Sequence, residues 1–263
     1  MGCFLHLSSS VSHLCWMSSH FIMSVRKRTV REARNAFQSS KATNPKVMVD
    51  YYTTWAENYE EDHRLMSFQS PHLAVDFLSE HFIGSPEETR VLDVACGTGY
   101  IAKLMKGLGY RHFVGVDGSK GMLELAAKTG LYQDLKLALL GTEPLPVETS
   151  AFDVVIITGA LDAGFVPVSV IRELCNAAKP GGLVCMARGD HTGAPAAKYK
   201  EDLQKELHMM EEEGLWSLVG TKLTDRYMED PHLVYDGDEE GIQEKQYISG
   251  TVYLYRTSIS ASM

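Results

Sequence analysis

One short stretch restricts the fold of this 263-residue chain more than any other. Arg90 to Ala95 reads RVLDVA, a brief apolar run of strand character, and Gly97-Thr98-Gly99 follows it at once. Tyr100 to Gly107 then carries a helical pattern. A strand that turns through glycines into a helix opens a βαβ unit, and parallel strands require such a crossover. The alternation continues downstream. His112 to Val116 reads as strand, Ser119 to Lys128 as helix, Leu135 to Leu140 as strand. Phe152 to Ile157 reads FDVVII, with the bulk of a strand buried in a parallel sheet. Val168 to Ala178 reads as helix, Lys179 to Gly182 as a turn and Leu183 to Ala187 as a fifth strand.

Repeated units of this kind predict a parallel sheet covered by helices on both faces. The end of the chain differs. After a long helix from Ala194 to Glu213, Val219 to Met228 and Tyr247 to Thr257 read as strands joined by the acidic loop Asp236 to Glu244. With no helix between them they must pair antiparallel. The expected fold is an α/β, Rossmann-like seven-stranded sheet of five parallel strands plus an antiparallel C-terminal pair. Helices precede it. Val30, Ala33 and Phe37 share one face of a helix within Val25 to Gln38. Val47, Tyr51, Trp55 and Tyr59 do so within Asn44 to Tyr59, and Ser70-Pro71 is expected to cap a third helix. No linker divides the chain, so residues 25–263 are expected to be one domain. Residues 25–88 would form N-terminal helices or a lid and residues 89–263 the core.

Charge narrows the classes of partner. The formal net charge of −9 is the sum of +5 over residues 1–41 and −14 over the rest. An acidic body disfavours nucleic acid, whose phosphates need Lys and Arg in place of counterions. No apolar run is long enough to span a membrane. The five cysteines (Cys3, Cys15, Cys96, Cys175, Cys185) form no CxxC pair or metal spacing, so no metal is expected and a reducing, cytoplasmic setting is the simplest reading. Residues 1–24 read as a disordered extension, or as sequence upstream of a natural start at Met23. Their Ser-rich, acid-poor character leaves a mitochondrial leader as the alternative. The bases that follow are expected to form a solvated face apart from the catalytic body.

The glycine turn occupies the place where an open α/β sheet binds a nucleotide. Asp117 ends the second strand, 20 residues beyond Gly97, where a carboxylate can hold two ribose hydroxyls. Gly97 to Ala102 also fits the GxGxxA form of a dinucleotide fingerprint, so a nicotinamide-dependent enzyme remains a reading. Asp93 argues against it. A carboxylate just before the turn repels a pyrophosphate but attracts the ammonium and sulfonium of S-adenosylmethionine.

Five segments carry a family likeness. DVACGTG, VGVDGS (Val114 to Ser119), GTEPLP (Gly141 to Pro146), FDVVIITGAL (Phe152 to Leu161) and AKPGGLV (Ala178 to Val184) resemble, in order, the motifs of class I S-adenosylmethionine-dependent methyltransferases. The resemblance is good from about Tyr51 to Gly189 and fades beyond. It implies S-adenosylmethionine as cofactor and a role for each matching residue. Asp93 would receive the methionine ammonium, directly or through water. Gly97 and Gly99 would pass under methionine and ribose, and Asp117 with Gly118 would take the ribose. Met122 would pack on adenine and Gly141-Thr142 line its edge. Thr158 and Gly159 would line the methionine end, with Tyr59 closing over the cofactor and Trp55 a second aromatic candidate. An Asp common in relatives at the Gly141 position is missing here.

The acceptor is read as a small molecule or a protein side chain, with an S-adenosylmethionine-binding regulatory module as the alternative. A monomer is expected. Thr158-Gly159-Ala160-Leu161 is not the Asn/Asp-Pro-Pro-aromatic turn used on nucleobase amines, and no Pro-Cys nucleophile occurs. A dedicated base is optional, since positioning alone accelerates methyl transfer. His191, Asp162 and His63 are the candidates for one, each also readable as a solvated loop residue.

Overall fold

The computed structural model describes residues 27–40, 45–233 and 246–259. The extension 1–24, with Cys3 and Cys15, and the acidic loop Asp236 to Glu244 lie outside the described residues. Three helices come first: α1 (Val30–Ser39), α2 (Pro45–Leu65) and α3 (Ser70–His81). The alternating body follows as β1 (Arg90–Val94), α4 (Tyr100–Gly107), β2 (His112–Asp117), α5 (Lys120–Lys128), β3 (Tyr132–Leu137), β4 (Phe152–Thr158), α6 (Val170–Ala177) and β5 (Ala178–Gly189). Helix α7 (Ala194–Glu212) leads to β6 (Trp216–Glu229) and β7 (Tyr247–Thr257).

The seven strands form one sheet in the order β3-β2-β1-β4-β5-β7-β6. Strands β1 to β5 pair in parallel. Strand β7 inserts antiparallel between β5 and β6. The chain runs outward from β1 to β3, then returns to β4 on the other side of β1. That reversal leaves a crevice at the carboxyl ends of β1 and β4, where ligands bind in open α/β sheets.

Alternation along the central strands builds two cores. Val91, Val154 and Ile156 join buried residues of α3 and α4 on one face. Leu92, Val94, Val155 and Ile157 join those of α6 and α7 on the other. Successive side chains point to opposite faces, so strands covered on both sides are apolar on both. That is why β1 and β4 stand out in the sequence.

Three local readings are corrected. Gln69, not Ser70, precedes the first helical residue of α3, and Ser70 makes no capping bond there. Strand β3 begins and ends three residues earlier than Leu135 to Leu140, because its pairing with β2 runs from Tyr132 to Leu137. Residues 179–182 are the irregular start of β5 instead of a separate turn.

The basic stretch is also more than a solvated face. Arg28 donates through Nε and Nη2 to the two carboxylate oxygens of Asp62 at 2.6 and 2.7 Å. Trp55 Nε1 donates to the same fully buried carboxylate at 2.6 Å. Phe37 packs edge-on against Trp55, and Tyr51 Oη donates to Ala36 O. Helix α1 is thereby fastened to α2. Arg28→Ala strands the Asp62 carboxylate with one donor. Because the arginine side chain is 26% exposed, the expected cost is about 2 kcal/mol, below that of a wholly buried pair. Urea unfolding checks this; an unchanged midpoint would show that the pair contributes nothing.

Candidate functional site

The crevice is built from helix α2, the chain ends of β1, β2 and β4, and the segments at Leu139–Leu140 and Phe165–Val166. The turn after β1 puts Ala95 and Gly97 at φ of 55° and 54° and Gly99 at 83°. Left-handed backbone of this sort is where glycine is at home. The turn closes through Gly99 N–H donating to Cys96 O, and Cys96 N–H donating to Val116 O of β2. Asp117 fixes it from the side: Oδ2 accepts from Gly97 N–H and Oδ1 from Ser119 N–H, both at 2.8 Å. Ser119 Oγ then caps α5 by accepting from Met122 N–H, and lies 2.9 Å from Thr53 Oγ1 of α2. The covering helix is thus tied to the floor.

Tyr59, Gly97, Asp117, Gly118, Met122, Thr158 and Gly159 line one cavity here. Met48, Val49 and Tyr52 of α2, with Ser119, Leu139, Leu140, Phe165 and Val166, complete most of its wall, and the sequence reading gave none of these a role at the site. Five candidate residues lie elsewhere. Asp93 is buried behind the turn, where its Oδ2 accepts from Tyr132 Oη at 2.7 Å. Gly99 backs onto the same tyrosine; a Cβ there would meet the ring at 3.0 Å. Gly141 packs on Pro167, and Thr142 Oγ1 donates to Leu139 O. Trp55 is buried between α1 and α2 and does not line the cavity.

The base candidates do not converge on this cavity. His63 is no loop residue: it sits within α2, its Nδ1 2.8 Å from Tyr59 O. Burial among aromatic rings lowers its pKa to about 4, so the imidazole is neutral at physiological pH. Asp162 and His191 do approach each other, Oδ2 to Nε2 at 3.9 Å, beside the buried Arg188. Asp162 is buried and not solvated. Neither residue is among those lining the cavity.

The electrostatics have one sign. Burial raises the Asp93 carboxyl to about 7, with Asp117 adding to the shift and the Tyr132 hydroxyl opposing it. Burial also raises Asp117, against backbone N–H groups that favour its charge. Desolvation pushes the Cys96 thiol well above its ordinary value, which removes it as a nucleophile. Among the described residues no Lys or Arg lines the cavity, whereas Asp117 does. Among the described residues no cluster of His, Cys, Asp and Glu could hold a metal ion, and no helix is long and apolar enough to cross a membrane.

A doubly wound sheet with an acid-walled cleft at its switch point defines a nucleoside-binding α/β protein. Comparison with known proteins narrows the class. A family model described as a methyltransferase domain matches residues 85–239, and the chain belongs to that family. The narrower likeness of its motif run to methyltransferase-like protein 27 is matched by 45% identity to the Homo sapiens protein of that name over 166 residues, 63% of this chain. A tRNA U34 carboxymethyltransferase of Cellvibrio japonicus is 31% identical over 134 residues, or 49% of the chain. A demethylmenaquinone methyltransferase of Staphylococcus aureus is 33% identical over 119 residues, or 44%. The matches span 66%, 37% and 49% of those relatives' own lengths. Among solved structures, the complex between the Haloferax volcanii Trm112 methyltransferase activator and a methyltransferase gives a TM-score of 0.53 at 15% identity, covering 79% of this chain and 97% of that one. The [4+2]-cyclase SpnF gives 0.52 at 18%, covering 72% and 82%. These two show the fold alone.

Proposed function

We propose that this protein transfers a methyl group from S-adenosylmethionine to a small-molecule or protein acceptor in the cytoplasm. The observation that carries the reading is the lining of the cleft: a carboxylate beside a glycine turn, an apolar slot and no base. A nucleoside with a cationic sulfonium fits such a site. A pyrophosphate would face Asp117 with no Lys or Arg to offset it. The nicotinamide reading therefore lacks support.

Asp117 would hold the ribose, Met122 and Leu139 the adenine, and Gly97, Thr158 and Gly159 the path beyond, with Tyr59 covering it. When bound, the cofactor supplies an electrophilic methyl on sulfur. The protein's part is to orient the two reactants and exclude water. Asp93, behind the turn, would act on the methionine ammonium only through the backbone or water. The relatives named above act on unlike acceptors, so the fold leaves the acceptor open.

The test is calorimetry with S-adenosylhomocysteine and NAD, followed by labelled methyl transfer into cell extract against heat-inactivated protein. Binding of the first ligand alone, with label transferred, is expected. NAD binding would overturn the reading, and cofactor binding without transfer would favour a regulatory module.

A further inference from the structure

A second cavity adjoins the first. The two share Tyr59, Ala95, Gly97 and Thr158, and the second extends away from Asp117 between α2, the first turn of α3 and the first turn of α4. The shared residues lie where, on the reading proposed above, the cofactor passes beyond its ribose. An acceptor must reach that junction from a side the nucleoside does not fill.

We propose that the second cavity is the acceptor site and that it takes a small, uncharged, planar molecule bearing a hydroxyl or amino group on an aromatic ring. Its wall is aromatic. Tyr59, His63 and Phe68 form a ladder with ring centroids 3.8 and 4.5 Å apart. His72 and Tyr100 form a second pair at 5.7 Å. Phe68 reaches the end of β4 because Gly159 has no side chain; a Cβ there would lie 2.8 Å from the ring.

The charges around this cavity are already matched. Glu60 accepts from Thr98 Oγ1 and Lys103 Nζ, both at 2.6 Å. Glu61 accepts from both Nε and Nη2 of Arg64 at 3.0 and 2.7 Å. Neither pair leaves a net charge to recruit an ionic ligand. His63 adds none. One polar atom is left over: the buried His72 Nδ1 has no hydrogen-bond partner. A buried polar atom of this kind is costly unless a ligand satisfies it. Aromatic walls select a flat ring, a methyl acceptor must itself carry a nucleophilic heteroatom, and a turn of the His72 ring would present its unpartnered Nδ1 to that atom.

The experiment titrates 6-hydroxyquinoline, with naphthalene-2-sulfonate and benzylammonium as charged controls, into the full chain saturated with S-adenosylhomocysteine. The neutral probe is expected to bind at least tenfold more tightly than either control. His72→Leu should weaken it threefold or more, His72→Gln less, and Phe68→Ala about tenfold. All three variants should keep wild-type affinity for S-adenosylhomocysteine within twofold, which also reports that they fold. If the homocysteine ligand weakens in parallel with the probe, the cavity belongs to the cofactor and the proposal is overturned. Equal or stronger binding of a charged control overturns it too. Failure of S-adenosylhomocysteine itself to bind wild-type protein would instead reject the function on which the proposal rests.

Discussion

Asp117→Ala is expected to lower the affinity for S-adenosylhomocysteine about a hundredfold while the protein stays folded. Two losses combine. Among the described residues its side chain is the one carboxylate on the wall of the proposed nucleoside cleft. Hydrogen bonds from neutral donors to a charged acceptor contribute about 1.5–3 kcal/mol each, and a ribose offers two. Asp117 also tethers the turn, through Gly97 N–H at 2.8 Å, and the start of α5, through Ser119 N–H at 2.8 Å. Without it Gly97 can drift from the position that admits the ligand. Asp117→Asn keeps one acceptor oxygen and the shape, and should lose about tenfold. A total near 3 kcal/mol corresponds to the hundredfold expected for alanine. Calorimetry on both variants, with far-ultraviolet circular dichroism as the fold check, measures it. An alanine variant within threefold of wild type would remove Asp117 from the ribose site.

The turn, Asp117 and Thr158 were legible because each lies in, or at the end of, a strand that the sequence marks strongly. Val91, Leu92 and Val94 of β1 and Val154 to Ile157 of β4 form dense apolar runs, and the glycines fix where β1 stops. Strand β3 carried a weaker signal. It lies at the sheet edge with half-exposed residues, and the run Leu135 to Leu140 is apolar enough to resemble a strand by itself. Pairing with β2 decides the matter, and periodicity does not report pairing. The slip then propagated. With β3 ending at Leu137, the chain reaches the cleft at Leu139 and Leu140, two residues before the expected Gly141 and Thr142.

Other features depended on contacts between distant positions. Tyr132 meets Asp93 from 39 residues away, and Arg28 meets Asp62 from 34. Nothing local in either segment announces the partner. Composition had assigned the basic front end to solvent because Lys and Arg are usually exposed. A buried carboxylate on the next helix reversed that for Arg28.

Asp93→Asn is expected to make the ligand-free protein more stable at pH 8 and to weaken cofactor binding. The Asp93 carboxyl is 1% exposed, and its surroundings are the Tyr132 hydroxyl, the Cys96 thiol and the Asp117 carboxylate, with no base among them. Its pKa rises from 3.8 to about 7. Between those values the folded protein holds a proton that the unfolded chain has released. Stability therefore falls as pH rises through that window, and the full penalty applies above pH 7. A shift of this size corresponds to something on the order of 4 kcal/mol. Asparagine keeps an oxygen for Tyr132 Oη and removes the charge, so the pH dependence should flatten. At pH 8 the variant should melt roughly 10 °C higher, given about 2–4 °C per kcal/mol for chains near this size. Groups that titrate equally in both proteins cancel in the difference. The same charge attracts an ammonium and sulfonium from behind the turn, so affinity for S-adenosylmethionine should drop about tenfold, or ~1.4 kcal/mol. Cofactor binding near pH 7 should also release a proton in the wild type and none in the variant, which calorimetry in buffers of different ionisation enthalpy reads directly. Parallel melting curves from pH 5 to 8 would show that Asp93 carries no buried proton. Opposite effects on stability and affinity would mark it as an acid held under strain for the cation it serves.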